Sequence, residues 1–184
     1  NEKIVKLLCV TWIITKLVCF KLWLGSRSFP LVPIHENLSS VPSFIHTALF
    51  IVSISAMLFL LIFPNKKIAV VILFAEILSC LLDQNRWQPW EYQFIFMMAV
   101  YIYYRDEKQV RLGWQIILVG IYFFSGLSKL NSAFIHDIWQ GLMLRRWLGI
   151  SPPGIWLTRA GYALPIIEMV AAVCLCFFST RRMA

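Results

Sequence analysis

Apolar residues in this chain run in long blocks separated by short polar breaks. Blocks of this length read as membrane helices rather than strands. Six segments follow the pattern. The first is about Ile4–Leu24, amphipathic because Lys6, Lys16 and Lys21 interrupt it, and it reads as a retained first helix. The second is about Pro42–Phe63, stopped by Pro64-Asn65-Lys66-Lys67, and the third about Ile68–Leu82. The fourth is about Tyr92–Tyr104, the fifth about Leu112–Lys129 and the sixth about Trp156–Phe178. The third and fourth are short against the ~20 residues of an ordinary span. Between the fifth and sixth, Asn131–Gly154 mixes Trp139, Leu142, Leu144, Trp147 and Leu148 with Arg145 and Arg146. That mixture suits a short amphipathic helix lying in the membrane interface. Ser151-Pro152-Pro153-Gly154 then breaks the chain. The predicted fold is all-α: one polytopic membrane bundle over residues 1–184, with about six transmembrane helices and a short interfacial helix.

Composition supports this reading. The chain is 60% hydrophobic, against about 45–50% apolar in soluble domains. Its net charge of +8 is dispersed, without a nucleic-acid recognition motif, so no nucleic-acid partner is expected. The basic residues orient the bundle instead. Lys3, Lys6, Lys66, Lys67, Arg105, Lys108, Arg111, Arg181 and Arg182 fall on one side, nine in all; Arg27, Arg86, Lys129, Arg145, Arg146 and Arg159 fall on the other, six in all. The richer side is the cytoplasmic one, so both termini are expected inside. The loop Asp83–Trp90, Lys129 and the sequon Asn37-Leu38-Ser39 are then expected outside. Five cysteines lie in apolar runs without a CxxC, and three histidines have no metal-ligand spacing, so no metal is expected.

Ionisable groups at membrane depth carry the candidate chemistry, because they are costly there. Glu76 and Asp83, seven apart, share one helix face, and a structural basic partner on another helix would account for Glu76. The loop Asp83-Gln84-Asn85-Arg86-Trp87-Gln88-Pro89-Trp90-Glu91-Tyr92 is densely polar and aromatic. Its Trp87, Trp90 and Tyr92 fit an aromatic belt, while Asp83 and Arg86 invite an ion pair or a substrate clamp. Tyr122, Ser125 and Lys129 share a face at i, i+3 and i+7, and Gly126 admits a neighbouring helix or a ligand. Lys129 reads either as a base or as a lysine snorkelling at a helix end. Glu168 follows Pro165 by three and suits a proton or cation partner, or a pair with Lys16 or Arg159.

Two strings carry a resemblance. Leu81-Leu82-Asp83-Gln84-Asn85-Arg86-Trp87-Gln88-Pro89-Trp90-Glu91-Tyr92 is similar to a loop of the HTTM family, the membrane domain shared by vitamin K-dependent gamma-glutamyl carboxylases and many bacterial proteins. Tyr122-Phe123-Phe124-Ser125-Gly126-Leu127-Ser128-Lys129-Leu130-Asn131, followed by Trp139, resembles that family's lysine-pair segment. The resemblance covers roughly Leu81 to Gly141. It implies Lys129 as the base acting on a quinone at the outer face, with Asp83 as its partner. It also implies Arg86, Trp87, Trp90, Tyr122 and Ser125 around a quinone or lipid. The departures are Ser128 for the first lysine, Asn131 for an Asp and Trp90 for a His. The carboxylases add further membrane segments and a large outer domain, whereas this chain ends just past its sixth span. The expectation is an accessory subunit of a larger membrane complex, in contact with the bilayer and other membrane subunits and holding a vestigial site. The alternative is a quinone- or lipid-handling enzyme.

Overall fold

The computed structural model describes residues 2–25, 30–151 and 154–181. Arg27, Pro152, Pro153 and Arg182, used above to place loops and sides, lie outside the described residues. The described residues are predominantly helical, with no strand among them. Its helices are α1 (Glu2–Val18), α2 (Phe20–Trp23), α3 (Ser43–Ile62), α4 (Lys66–Leu82), α5 (Pro89–Tyr103), α6 (Glu107–Lys129), a π-helix (Phe134–Trp147) and α7 (Ile155–Arg181). They form two compact units, Asn1–Trp114 and Gln115–Ala184, with α6 beginning in the first and ending in the second.

Local chemistry explains most boundaries. Pro42 precedes α3, and Pro64 follows its last turn. Asn65 caps α4 by accepting from the Lys67 N–H at 2.9 Å. Pro89 opens α5 at a position where no amide hydrogen is needed. The expected first span differs, because it breaks at Cys19 into α1 and α2. At the end of α2 the Leu22 and Trp23 carbonyls accept from the Arg86 guanidinium. A helix does occupy the segment expected to be interfacial, and it is wound with i→i+5 hydrogen bonds from Phe134 to Trp147.

Of the six expected spans, three are long and apolar enough to cross a membrane: Ser43–Ile62, Glu107–Lys129 and Ile155–Phe177. Helices α1, α4 and α5 have 17, 17 and 15 residues, short of an ordinary span.

In the first unit, α3 lies along α4, with α1 against α3 and α5 against α4. Its polarity is inverted. Lys16, His46, Ser53, Glu76, Ser79, Asp83, Arg86 and Glu91 are buried, while Leu7, Ile14, Leu17, Ile51, Phe59 and Phe74 are exposed. A water-soluble helix places its polar side outward. This arrangement fits an apolar solvent around a polar interior, as expected of a membrane protein. In the second unit, α6 and α7 run antiparallel. Gln115 Nε2 donates to Leu175 O at 3.0 Å, and a Cβ at Gly126 would stand 2.5 Å from Pro165 O. The π-helix docks on α7: Trp139 Nε1 donates to Leu157 O at 2.7 Å, and the Trp139 ring covers Gly161.

Candidate functional site

The loop after α4 is built around two buried charges. Asp83 ends α4 and caps the 3₁₀ turn Gln84–Arg86: its Oδ1 accepts from the Asn85 amide at 3.3 Å and from Val32 N at 3.3 Å. Its Oδ2 lies 3.6 Å from Arg86 Nε. The fully buried guanidinium of Arg86 meets protein acceptors with all five donors. Nε donates to Leu22 O at 3.1 Å; Nη1 to Ser79 O at 3.0 Å and Ser79 Oγ at 2.7 Å; Nη2 to Trp23 O at 3.1 Å and His46 Nδ1 at 3.1 Å. An arginine has no acceptor, so His46 must accept with Nδ1. The expected Asp83–Arg86 pair is therefore present, and it ties the loop to α2, α3 and α4. Trp87 stacks on Tyr92 with ring centroids 4.8 Å apart. Trp90 points inward, 5.1 Å from Trp12 and 6.4 Å from Trp23.

A second buried group lies deeper. Lys16 Nζ sits 2.7 Å from Glu76 Oε2 and 3.4 Å from the centroid of the Trp23 ring, with both partners of the ion pair fully buried. Ser53 Oγ donates to Glu76 Oε1. The structural partner expected for Glu76 is thus Lys16 on α1. Glu91, in the first turn of α5, is also fully buried. Among the described residues no protein donor reaches either Glu91 oxygen, and the buried indole nitrogens of Trp12 and Trp23 have no acceptor.

In the second unit, Lys129 Nζ donates to Glu168 Oε1 at 2.5 Å, with both side chains about a third exposed. Glu168 therefore pairs with Lys129 rather than with either basic residue expected for it. The pair flanks the Gly126–Pro165 contact, so Gly126 admits a helix, as its spacing suggested. Tyr122 is exposed and Ser125 half-buried; the Ser125 carbonyl accepts from Ser128 Oγ at 2.9 Å.

The sequence-selected residues therefore divide. Asp83, Arg86, Trp87 and Trp90 belong to the first unit; Tyr122, Ser125 and Lys129 belong to the second. Glu76, Asp83 and Lys129 each have a counter-ion within their own unit: Lys16, Arg86 and Glu168. Sequence reasoning passed over Lys16, Glu91, Ser53, His46, Trp12 and Trp23 as site residues. A signal for Lys16 existed: Val5, Cys9, Trp12 and Lys16 are all buried and spaced as one helix stripe. Among the described residues there is no group of three metal-ligating side chains. No family model, curated protein or solved structure matches the chain.

Proposed function

We propose that the chain is a multi-pass membrane protein of the HTTM type that serves as an accessory subunit of a larger membrane complex, with the quinone or lipid site at its outer face vestigial. One observation carries this reading: the cationic groups expected to serve a ligand are engaged by the protein itself. Arg86 gives every donor to protein acceptors, and Lys129 donates to Glu168. Such groups lock helices together. The apolar and aromatic exterior, with Phe44, Phe74, Tyr103, Trp147 and Trp156 exposed, supplies surface for lipid and for neighbouring membrane subunits.

In this reading α1, α4 and α5 cross the membrane with the three longer helices, and both termini are cytoplasmic. The nine-to-six excess of basic residues on the terminal side supports that orientation. The inverted polarity of the first unit supports the extra crossings. At 1.5 Å per residue, 17 residues span about 26 Å and 15 about 22 Å, against ~30 Å of hydrocarbon. A locally thinned bilayer accommodates the difference.

The alternative, a quinone- or lipid-handling enzyme with Lys129 as base, is favoured by the partial exposure of that side chain. Lys129→Met separates the two, because it keeps the apolar stem and removes only the amine. Native gels of membranes solubilised in mild detergent would read assembly, and turnover of an added quinol would read catalysis. The subunit reading expects migration well above the mass of the chain with its detergent, unchanged by Lys129→Met. Migration as a single chain, together with quinol turnover lost in Lys129→Met, would overturn it.

A further inference from the structure

We propose that one end of the first unit, where α4 begins and α5 turns into α6, docks the headgroup of an anionic phospholipid. Lys66 is at the centre of this end. Its half-buried ammonium donates to Ile102 O at 3.2 Å and to Tyr104 O at 2.5 Å, which brings the start of α4 against the last turn of α5. Arg105 follows Tyr104 directly, and Lys67 follows Lys66. The first turns of α6 run back along α5: Trp114 Nε1 donates to Met97 O at 2.6 Å, and a Cβ on Gly113 would stand 2.7 Å from Val100 Cγ1. Lys108 and Arg111 precede that contact, so they return to the same end. Lys67, Arg105, Lys108 and Arg111 are all exposed.

The charge of this end is one-sided. Five basic residues stand against Asp106 and Glu107, and the Asp106 carboxylate accepts from the Lys108 amide at 3.2 Å at the start of α6. At the opposite end of the unit, Arg86 is enclosed by protein acceptors, and Lys21 is the exposed basic residue among those described. Lys66 gives two of its three donors to carbonyls and keeps one. A cluster of basic side chains at a membrane surface attracts anionic headgroups, and the attraction fades within a Debye length.

The neighbouring surface selects a lipid over a free anion. Ile62 and Phe63 end α3 just before Pro64-Asn65-Lys66, and Tyr103 precedes the Tyr104 that receives Lys66; all three are exposed. The Phe59 and Phe63 rings lie 5.9 Å apart, and Tyr103 meets Tyr104 edge to face at 4.9 Å. A soluble phosphate or a polynucleotide gains nothing from this apolar border. A phospholipid carries an anionic phosphate and apolar chains side by side, and it engages the basic rim and the aromatic flank together. The inference rests on the membrane reading of the chain and not on its being a subunit. Assembly is read on native gels, whereas lipid retention is read on a single chain.

The test uses the full chain purified in detergent and titrated with phosphatidylglycerol or phosphatidylcholine, with bound lipid counted by native mass spectrometry. Phosphatidylglycerol is expected to be retained about tenfold better, and the preference to shrink as sodium chloride rises. Lys67→Gln combined with Arg105→Gln should weaken phosphatidylglycerol retention about tenfold or more, since each basic residue at such a surface contributes severalfold. Lys21→Gln, at the opposite end, should leave it unchanged. Equal retention of the two lipids by the unmodified chain, or a preference that salt does not reduce, would overturn the proposal whatever the variants do. So would full retention in the double variant, or equal loss in Lys21→Gln. Displacement of the lipid by soluble glycerophosphate at equal concentration would replace the lipid surface with a plain anion site.

Discussion

Arg86 and Lys16 are long basic side chains placed where water does not reach: Arg86 is tolerated because its donors are met, Lys16 because its charge lies against the Glu76 carboxylate and the Trp23 ring. Arg86 does this with a planar fork, which reaches Leu22, Trp23, His46 and Ser79 at once. Lysine keeps the charge but offers a point ammonium, so Arg86→Lys leaves carbonyls of α2 without donors. We expect a loss of about 3–5 kcal/mol, the usual cost of breaking a buried charged network. A lowered midpoint of helical melting in detergent would show it; an unchanged midpoint would sink the account. Lys16→Met leaves the buried Glu76 carboxylate without its counter-ion and should cost a similar amount. Combining Lys16→Met with Glu76→Gln removes both ends of the ion pair. The double variant should therefore melt above the sum of the single effects, with a coupling of about 1–3 kcal/mol. Additive effects would mean that the 2.7 Å contact contributes nothing. The polar loop and the importance of Asp83 and Arg86 were legible in sequence. Their inward direction was not, because an i,i+3 spacing says nothing about which helices surround it.

At the scale of elements, close approach is set by small residues and by capped ends. Lys66, at the start of α4, donates to the Ile102 and Tyr104 carbonyls at 3.2 and 2.5 Å. It thereby neutralises the carbonyl end of α5 and fixes α4 against it. In α6 two glycines make a controlled pair. A Cβ on Gly126 would meet Pro165 O at 2.5 Å and Met169 Cγ at 2.6 Å, whereas a Cβ on Gly120 would meet nothing within 4 Å. Gly126→Ala should therefore force α6 from α7 and cost about 1–3 kcal/mol. Gly120→Ala should be neutral or stabilise by up to about 1 kcal/mol through helix propensity. Equal melting midpoints for the two variants would refute the close crossing. The value of Gly126 was readable beforehand from its place in an apolar run. The π winding of Phe134–Trp147 was not, since the same residues satisfy an ordinary α pattern.

At the scale of the whole molecule, the question is which loops face which side. The proposed six crossings with a cytoplasmic terminal side predict the α3–α4 loop inside and the α4–α5 loop outside. Lys67→Cys and Gln88→Cys variants, each in a background lacking the native cysteines, test this with an impermeant thiol reagent on intact cells. The Gln88 position should be labelled and the Lys67 position protected until the cells are opened. The reverse pattern would invert the topology. Labelling of both from outside would mean that α4 does not cross.

The helical class, the membrane solvent and most helix ends came from sequence alone, because apolar run length, proline placement and capping side chains act locally. The ionisable residues worth attention were also readable, since a charge in an apolar run is costly wherever the chain goes. Tertiary structure decided the pairing: Lys16 with Glu76, Lys129 with Glu168, and Arg86 with three helices and its own Asp83. Counter-ions are chosen by proximity after packing, and residues 60 positions apart leave no periodic trace of their meeting. The same holds for Glu91, which sequence places in an aromatic loop and packing buries completely.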